Sequence, residues 1–314
     1  MIDTFHINDG GIQKQIFYAN GTNSFYTWIK PQNCKFVNFF LLGGGGGGGG
    51  GQGGATGTSR RGGGSGGAAS LTKGLYSSAF LPDILYIQVG SGGNSGIGGT
   101  TNSNGGAGTL SYVMITPDTT KSAENVLLQS GAVAPGGGNS GVNSGTAGTA
   151  GTVWTYTNNI FKDFGSVDSW GGQVGSLGQT TATPNNISVS GVTSGGAPGA
   201  GMSGGTAQAG GSVLAGGSVP TMIGGSAGGS GTSTTAGGNG SGGFMSFNPN
   251  TIGYATQPLI FLGGSGGGSS DGGTGGSGGS GSYGSGGGGG GAGFTNLGGN
   301  GGRGGDGIVI ITFW

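Results

Sequence analysis

Charged side chains are scarce in this sequence, and so are cysteine, histidine and glutamate. Nine basic and nine acidic residues make up 6% of the chain and cancel to zero net charge, whereas about 25% is ordinary. This balance removes the electrostatic argument for binding nucleic acid or an anionic membrane surface. The one cysteine, Cys34, cannot form an intrachain disulfide, which excludes a disulfide-stapled mini-domain.

Long apolar runs are absent as well. None reaches the roughly 18–20 residues of a membrane span, so no membrane insertion is expected. The N-terminus lacks a basic segment followed by an apolar one, so no signal peptide is predicted. If such a protein acts outside a cell, it would have to leave the cell without a signal peptide, for example when virus particles are released by lysis.

Catalytic and metal-binding patterns are missing. His6 is the one histidine and Glu124 the one glutamate, and the eight aspartates are scattered. These residues offer neither a zinc cluster nor a pair of catalytic carboxylates. Strings of the form GxGxxG arise by chance in so much glycine and lack a strand–turn–helix context. The sequence therefore predicts no enzyme activity and no cofactor.

Glycine dominates what is present, with 92 of 314 residues, about four times ordinary usage. Three interpretations compete: a flexible linker, a collagen-like rod and an ordered glycine-rich fold. Collagen requires glycine at every third position and abundant proline. The spacing over residues 195–205 is irregular, and nine prolines are few, so the collagen interpretation fails.

An ordered fold needs a cause, because each fixed glycine costs about 0.5–1 kcal/mol relative to alanine and has no side chain to bury. Backbone hydrogen bonds must then contribute heavily. Polyproline-II helices have no internal hydrogen bonds, so all-glycine versions can approach closely and bond to one another. The run at residues 43–51 would span roughly 28 Å at 3.1 Å per residue. We therefore expect packed polyglycine-II helices.

Apolar segments predict an all-β, small sandwich-like framework, since no segment carries a helical period. Glycine tracts follow strands that end near Leu42, Val89 and Leu262, and the last strand follows glycine at 299–307. We divide the chain into residues 1–42, a glycine-rich segment 43–151, a low-glycine island 152–194 and a glycine-rich segment 195–314. The framework is small for a self-sufficient core, and oligomerisation is a common remedy. The predicted strands lie at residues 12–18, 25–29, 35–42, 81–89, 109–116, 125–129, 259–262 and 308–314.

Aromatic residues concentrate in two islands, residues 152–194 and 244–262. They are candidates for receptor or partner contact, because aromatic side chains are favoured at binding hot spots. The alternative is that the rings belong to an ordinary core or a subunit interface. Burial discriminates between the two interpretations. The candidates are Trp154, Tyr156, Phe161, Phe164, Trp170 and Tyr254.

Three motifs resemble a glycine-rich domain found in bacteriophage tail fibres and other virion proteins. The first is YTWIKP at 26–31 with KFVNFFLL at 35–42 before the glycine run, the second is LPDILYIQVG at 81–90, and the third is GDGIVII at 305–311. Some phage tail-tip adhesins of similar composition fold as polyglycine-II sandwiches whose variable loops bind host surface molecules. This chain departs from them in its larger β-framework.

The resemblance implies a virion protein at the particle surface, a homo-oligomer with a trimer favoured, and contacts with other virion proteins. A host surface protein or glycan is the expected receptor. The position on the particle stays open between tail, head fibre and spike. The alternatives are a purely structural capsid or tail decoration protein and, more remotely, an ice-binding protein, which would call for a regular tripeptide repeat.

Overall fold

The computed structural model describes residues 11–21, 24–142, 145–155, 164–179, 186–214, 221–247 and 259–314. The described chain is all-β, with one short 3-10 turn at Ser78–Phe80. Its strands are β1 Gln13–Tyr18, β2 Tyr26–Ile29, β3 Phe36–Leu42, β4 Gly53–Gly54, β5 Leu71–Ser77, β6 Ile84–Gln88, β7 Tyr112–Met114, β8 Val126–Gln129, β9 Gly165–Trp170, β10 Ile187–Ser188, β11 Val213–Leu214, β12 Met245–Phe247, β13 Leu259–Phe261, β14 Gly293–Phe294 and β15 Ile308–Phe313.

Two antiparallel sheets form the β-framework. The first has the order β1-β15-β3-β5-β9 and the second β2-β6-β7-β8. Their facing side chains make one apolar core, because alternate residues of a strand point to the same face. Phe39 and Val309 come from the first sheet, and Trp28 and Leu85 from the second. The predicted sandwich-like framework is therefore confirmed.

Two strands of the first sheet, β5 and β9, were not predicted from the sequence. Gly74 interrupts the apolar pattern of β5. A Cβ atom at this position would lie 2.8 Å from a methyl group of Leu128 and 2.9 Å from the ring of Tyr76. Glycine therefore makes room for core side chains inside a strand. β9 is polar along most of its length and has the sequence GSVDSW.

The glycine tracts form a bundle of extended chains joined by backbone hydrogen bonds. Residues 43–52 show the rule: successive N–H groups donate to three different tracts in turn, so each neighbour receives a bond at every third residue. This spacing is that of a helix with three residues per turn. One of the three series runs from Gly45 to Gly305, from Gly48 to Gly302 and from Gly51 to Gly299, each at 2.8 Å.

The tract at residues 43–52 has six hydrogen-bonded neighbours. It donates to residues 61–67, 103–109 and 299–305, and accepts from 93–99, 138–141 and 287–293. Within the described chain, residues 61–69, 264–270 and 285–293 are likewise surrounded by six tracts. These four interior tracts are the backbone-only core of the glycine bundle, and the predicted packing of polyglycine-II helices is confirmed.

Candidate functional site

The glycine bundle has two different ends. One end joins the β-framework, because β3, β6 and β13 lead directly into tracts and β15 continues from one. At the other end the chain reverses direction repeatedly between antiparallel neighbours. We call these reversals the tip loops; in the described chain they lie at residues 53–60, 100–103, 203–206, 230–234, 271–274 and 294–297.

Left-handed backbone conformations mark several of these reversals. Gly57 has φ 72° and Gly231 has φ 63°. Only glycine adopts such angles without steric cost. Serine and threonine surround both glycines, and their side chains bond locally: the Thr58 hydroxyl donates to the carbonyl of Ala55 at 2.6 Å. The sequence therefore folds these segments into tight turns.

A buried ion pair fixes the tip loops to one another. The Arg60 guanidinium donates to a carboxylate oxygen of Asp271, and the two side chains are 1% and 0% exposed. Arg60 also donates to the carbonyl oxygens of Gly54 at 3.0 Å and of Gly293. The Asp271 carboxylate accepts the N–H of Gly57 at 3.2 Å. The pair thereby joins the tip loops at 53–60 and 271–274 to the end of the interior tract at Gly293.

Burial lowers the pKa of Arg60, and the charge of Asp271 opposes that shift. A buried charge is tolerated when it is paired and its remaining polar atoms are hydrogen-bonded. Both conditions hold here, so the pair sets the positions of the turns. The sequence did not reveal this pair, because 211 residues separate the two partners.

The exposed surface of the tip loops is rich in hydroxyl and amide groups. Thr56, Ser59, Thr206 and Asn296 are all exposed, and the charges of Arg60 and Asp271 are buried. Such a surface can recognise a partner by shape and hydrogen bonds, without strong electrostatic steering.

The predicted aromatic contact residues that the structure describes lie on the β-framework. Trp154 is half-buried against the main core. Phe164 is 45% exposed and stacks on Phe80 with 5.1 Å between ring centroids. Trp170 packs at the edge of a smaller cluster, and the Lys73 ammonium group lies 5.7 Å from its ring centre.

These three residues do not form one patch, since no ring contact joins any two of them in the described part of the chain. Tyr156, Phe161 and Tyr254 lie outside the described residues. Trp154, Phe164 and Trp170 thus stay candidates for partner contact, on the β-framework at the end of the molecule opposite the tip loops.

The described residues contain neither a cluster of metal-ligating side chains nor a membrane-spanning helix. No group of three or more histidine, cysteine, aspartate or glutamate side chains converges there as metal ligands would. No helix in the same residues has the length and apolar character of a membrane span.

Fold and site together define an all-β glycine-rich protein, in which a polyglycine-II bundle joins a β-framework to a set of tip loops. The chain belongs to the glycine-rich domain family, whose model matches residues 20–248. No curated protein matches the chain.

Proposed function

We propose that this protein is a virion structural protein of the fibre, spike or tail-associated kind that contributes to host attachment. The observation that carries the proposal is the two-ended architecture. A β-framework suited to assembly lies at one end, and tip loops lie at the other end of a bundle whose interior is backbone packed on backbone. Loops held on a rigid scaffold are common carriers of recognition. The resemblance to phage tail-fibre proteins points the same way.

The β-framework offers a surface for assembly. On the outer face of the first sheet, Ile16, Phe36, Leu75 and Trp314 are each at least 40% exposed. Exposed apolar patches of this kind mark interaction sites. We propose that a second copy of the chain covers this face, which we call the outer sheet face.

Charge on the outer sheet face favours a second copy as the partner. Lys14 lies on the β1 edge and Asp168 on the β9 edge, both on the same side of the sheet as the apolar residues. A copy turned about an axis parallel to the strands would place β1 over β9. Unlike charges would then meet at both margins.

The attachment proposal is tested with particles and with soluble protein. Antibodies against the purified chain should label the surface of virus particles that carry its gene. The soluble chain, added to host cells first, should reduce particle adsorption. A variant with Thr56→Arg and Thr206→Arg at the tip loops should compete at least about tenfold less well, because two bulky charges disturb a close contact.

The matched control is Thr149→Arg, which places the same side chain at an exposed position on the side of the bundle, outside the tip loops and both aromatic islands. This variant should compete like the wild-type chain. Particles that bind no antibody would contradict the virion assignment. Labelled particles with equal competition by all three proteins would contradict attachment through the tip loops. Labelled particles with no competition by any of them would leave the purely structural alternative.

A further inference from the structure

A groove of about 400 Å³ lies where the glycine bundle meets the β-framework. It is lined by the framework ends of three tracts, at residues 243–245, 280–283 and 303–306. The tip loops lie at the other end of these tracts. Ligand binding in this groove and attachment through the tip loops are therefore independent, and an experiment can contradict one without contradicting the other.

An ion pair forms one wall of the groove. Arg303 donates to both carboxylate oxygens of Asp306, at 3.0 and 2.6 Å. The same carboxylate accepts the backbone N–H of Gly92 at 2.8 Å, which fixes its position. A guanidinium group carries five N–H donors in a rigid plane, and two of them serve this pair. The wall therefore presents both donors and acceptors with no net charge.

Apolar side chains form another part of the lining. Phe244 is half-buried and packs against a core cluster, and Met245 beside it is exposed. Tyr283 is 37% exposed, and its ring centroid lies 6.3 Å from that of Tyr18. Gly281 and Gly304 contribute backbone atoms to the lining of the groove.

We propose that this groove binds a neutral carbohydrate. Sugar hydroxyls each donate and accept hydrogen bonds, so a neutral Arg303–Asp306 pair matches two neighbouring hydroxyls. The C–H face of a pyranose ring is apolar and suits the Tyr283 ring. A free phosphate or carboxylate ligand is disfavoured, because Asp306 already neutralises the arginine. The volume is that of a small-molecule site.

The bundle surface next to the groove indicates how many sugar units the ligand has. Ser280 and Ser277 stand three residues apart on one tract, and Asn300 stands three residues before Arg303 on the next. Outward side chains on a tract recur at about 9 Å, three residues at 3.1 Å each. A linear oligosaccharide of two or three units can therefore continue from the groove along these polar side chains.

Isothermal titration calorimetry of the full chain tests this inference. The probes are neutral trisaccharides of glucose in α- and β-linkage, of galactose and of N-acetylglucosamine, with a trisaccharide of galacturonic acid as the anionic comparison. At least one neutral probe should bind with a Kd of about 1 mM or below, and more tightly than the anionic probe. Tyr283→Ala and Arg303→Lys should each weaken that binding about tenfold.

Arg303→Lys keeps the charge and loses the planar fork of donors. The matched control, Thr149→Ala, removes an exposed side chain on another tract, outside the groove and the tip loops, and should leave the Kd unchanged. Absence of heat with every neutral probe at about 10 mM would overturn the inference. Tighter binding of the galacturonic acid probe, or equal binding by variants with wild-type thermal midpoints, would overturn it as well.

Discussion

At the scale of single residues, glycine in the interior tracts is a steric requirement. A Cβ atom added at Gly48 would overlap the carbonyl group of Gly288, and at every position from 44 to 51 the added atom overlaps a backbone carbonyl group of a neighbouring tract. Backbone cannot rotate away as the end of a side chain can. Alanine would force two hydrogen-bonded tracts apart.

The first prediction compares two glycines in the bundle. Gly48→Ala should lower the free energy of unfolding by about 2 kcal/mol or more, the upper range for overpacking. Gly242→Ala should be neutral or stabilising by up to about 1 kcal/mol, because alanine restricts the unfolded chain. Its nearest neighbouring atom is the Ser280 carbonyl oxygen, 3.8 Å from the added Cβ. Urea unfolding measures both, and equal effects would contradict the steric account.

Two arginine–aspartate pairs differ in burial and therefore in their expected contribution to stability. Arg60–Asp271 is at most 1% exposed, whereas the side chains of Arg303 and Asp306 are 48% and 32% exposed. Water screens the second pair, and such pairs contribute about 0–1 kcal/mol. Removing one partner of a buried pair leaves an uncompensated charge, which costs about 3–5 kcal/mol.

The second prediction follows from this contrast. Arg60→Met should destabilise the protein by about 3 kcal/mol or more and loosen the tip loops. Arg303→Met, the same exchange at the exposed pair, should cost no more than about 1 kcal/mol. Chemical denaturation gives both values. A small loss for Arg60→Met would show that the tip loops hold their positions without the ion pair.

At the scale of elements, position in the bundle decides which residues a tract can contain. Apart from Gln52 and Arg61 at their tip ends, the interior tracts consist of glycine with a few alanines and serines. The buried serines use their hydroxyls on backbone carbonyls, as Ser269 does with Gly201 at 2.9 Å and Ser285 with Phe261 at 2.7 Å. The peripheral tract at 297–306 carries a large or polar residue at every third position, where it faces outward.

The third prediction concerns amide exchange along two tracts. Every N–H from residue 44 to 52 donates to a neighbouring tract, so this whole run should be protected. In the peripheral tract, Gly301, Gly302, Gly304 and Gly305 donate to other tracts, and the intervening Asn300 and Arg303 make no such bond among the described residues. Exchange followed by NMR should show protected pairs separated by fast single residues.

Uniform fast exchange in both tracts would contradict the bundle. Uniform slow exchange in the peripheral tract would mean that another surface covers the outward face. The control is the β3 strand, whose amides pair within the sheet on both sides and should be protected throughout.

The sequence predicted strands correctly where apolar side chains alternate along the chain. KFVNFFLL at 35–42 predicted β3, and FYTWI at 25–29 predicted β2, because both have apolar residues on an alternating face. The prediction failed at β5, where Gly74 interrupts the pattern to make room for Leu128. It also failed at β9, where Ser166 and Asp168 occupy outward positions and the polar Ser169 faces Thr72 on the other side of the sheet. β5 and β9 are identified as strands only by their pairing with other strands, which lie far away along the chain.

At the scale of the whole molecule, the β-framework gathers strands from both ends of the sequence. β1 and β3 flank β15, so residues 13–18 and 36–42 pair with 308–313. The glycine bundle lies between β3 and β15 in the sequence. Because these two strands pair, the sheet brings together the points where the chain first enters the bundle and last leaves it. The outer sheet face of this framework, with exposed Ile16, Phe36, Leu75 and Trp314, is the surface to which the assembly proposal applies.

The fourth prediction addresses assembly through the outer sheet face. Light scattering after gel filtration should give a mass that is a multiple of 29.6 kDa. Ile16→Lys with Leu75→Lys should shift the protein to 29.6 kDa, because burying two unpaired charges opposes association. Ile97→Lys, an equally polar exchange at an exposed position on the bundle, should not. A monomeric wild-type chain would contradict the assembly proposal.

The sequence by itself determined the fold class, the polyglycine-II character of the tracts and the strands with clear apolar alternation. These follow from local rules, since glycine has no side chain to pack and an extended glycine chain must bond outward. Only the tertiary structure decided which tracts lie inside, which reversals meet at the tip loops, and that Arg60 reaches Asp271. Those features depend on contacts between distant residues, such as Gly45 with Gly305. The glycine tracts are nearly identical in sequence, so no local signal specifies which tracts become neighbours.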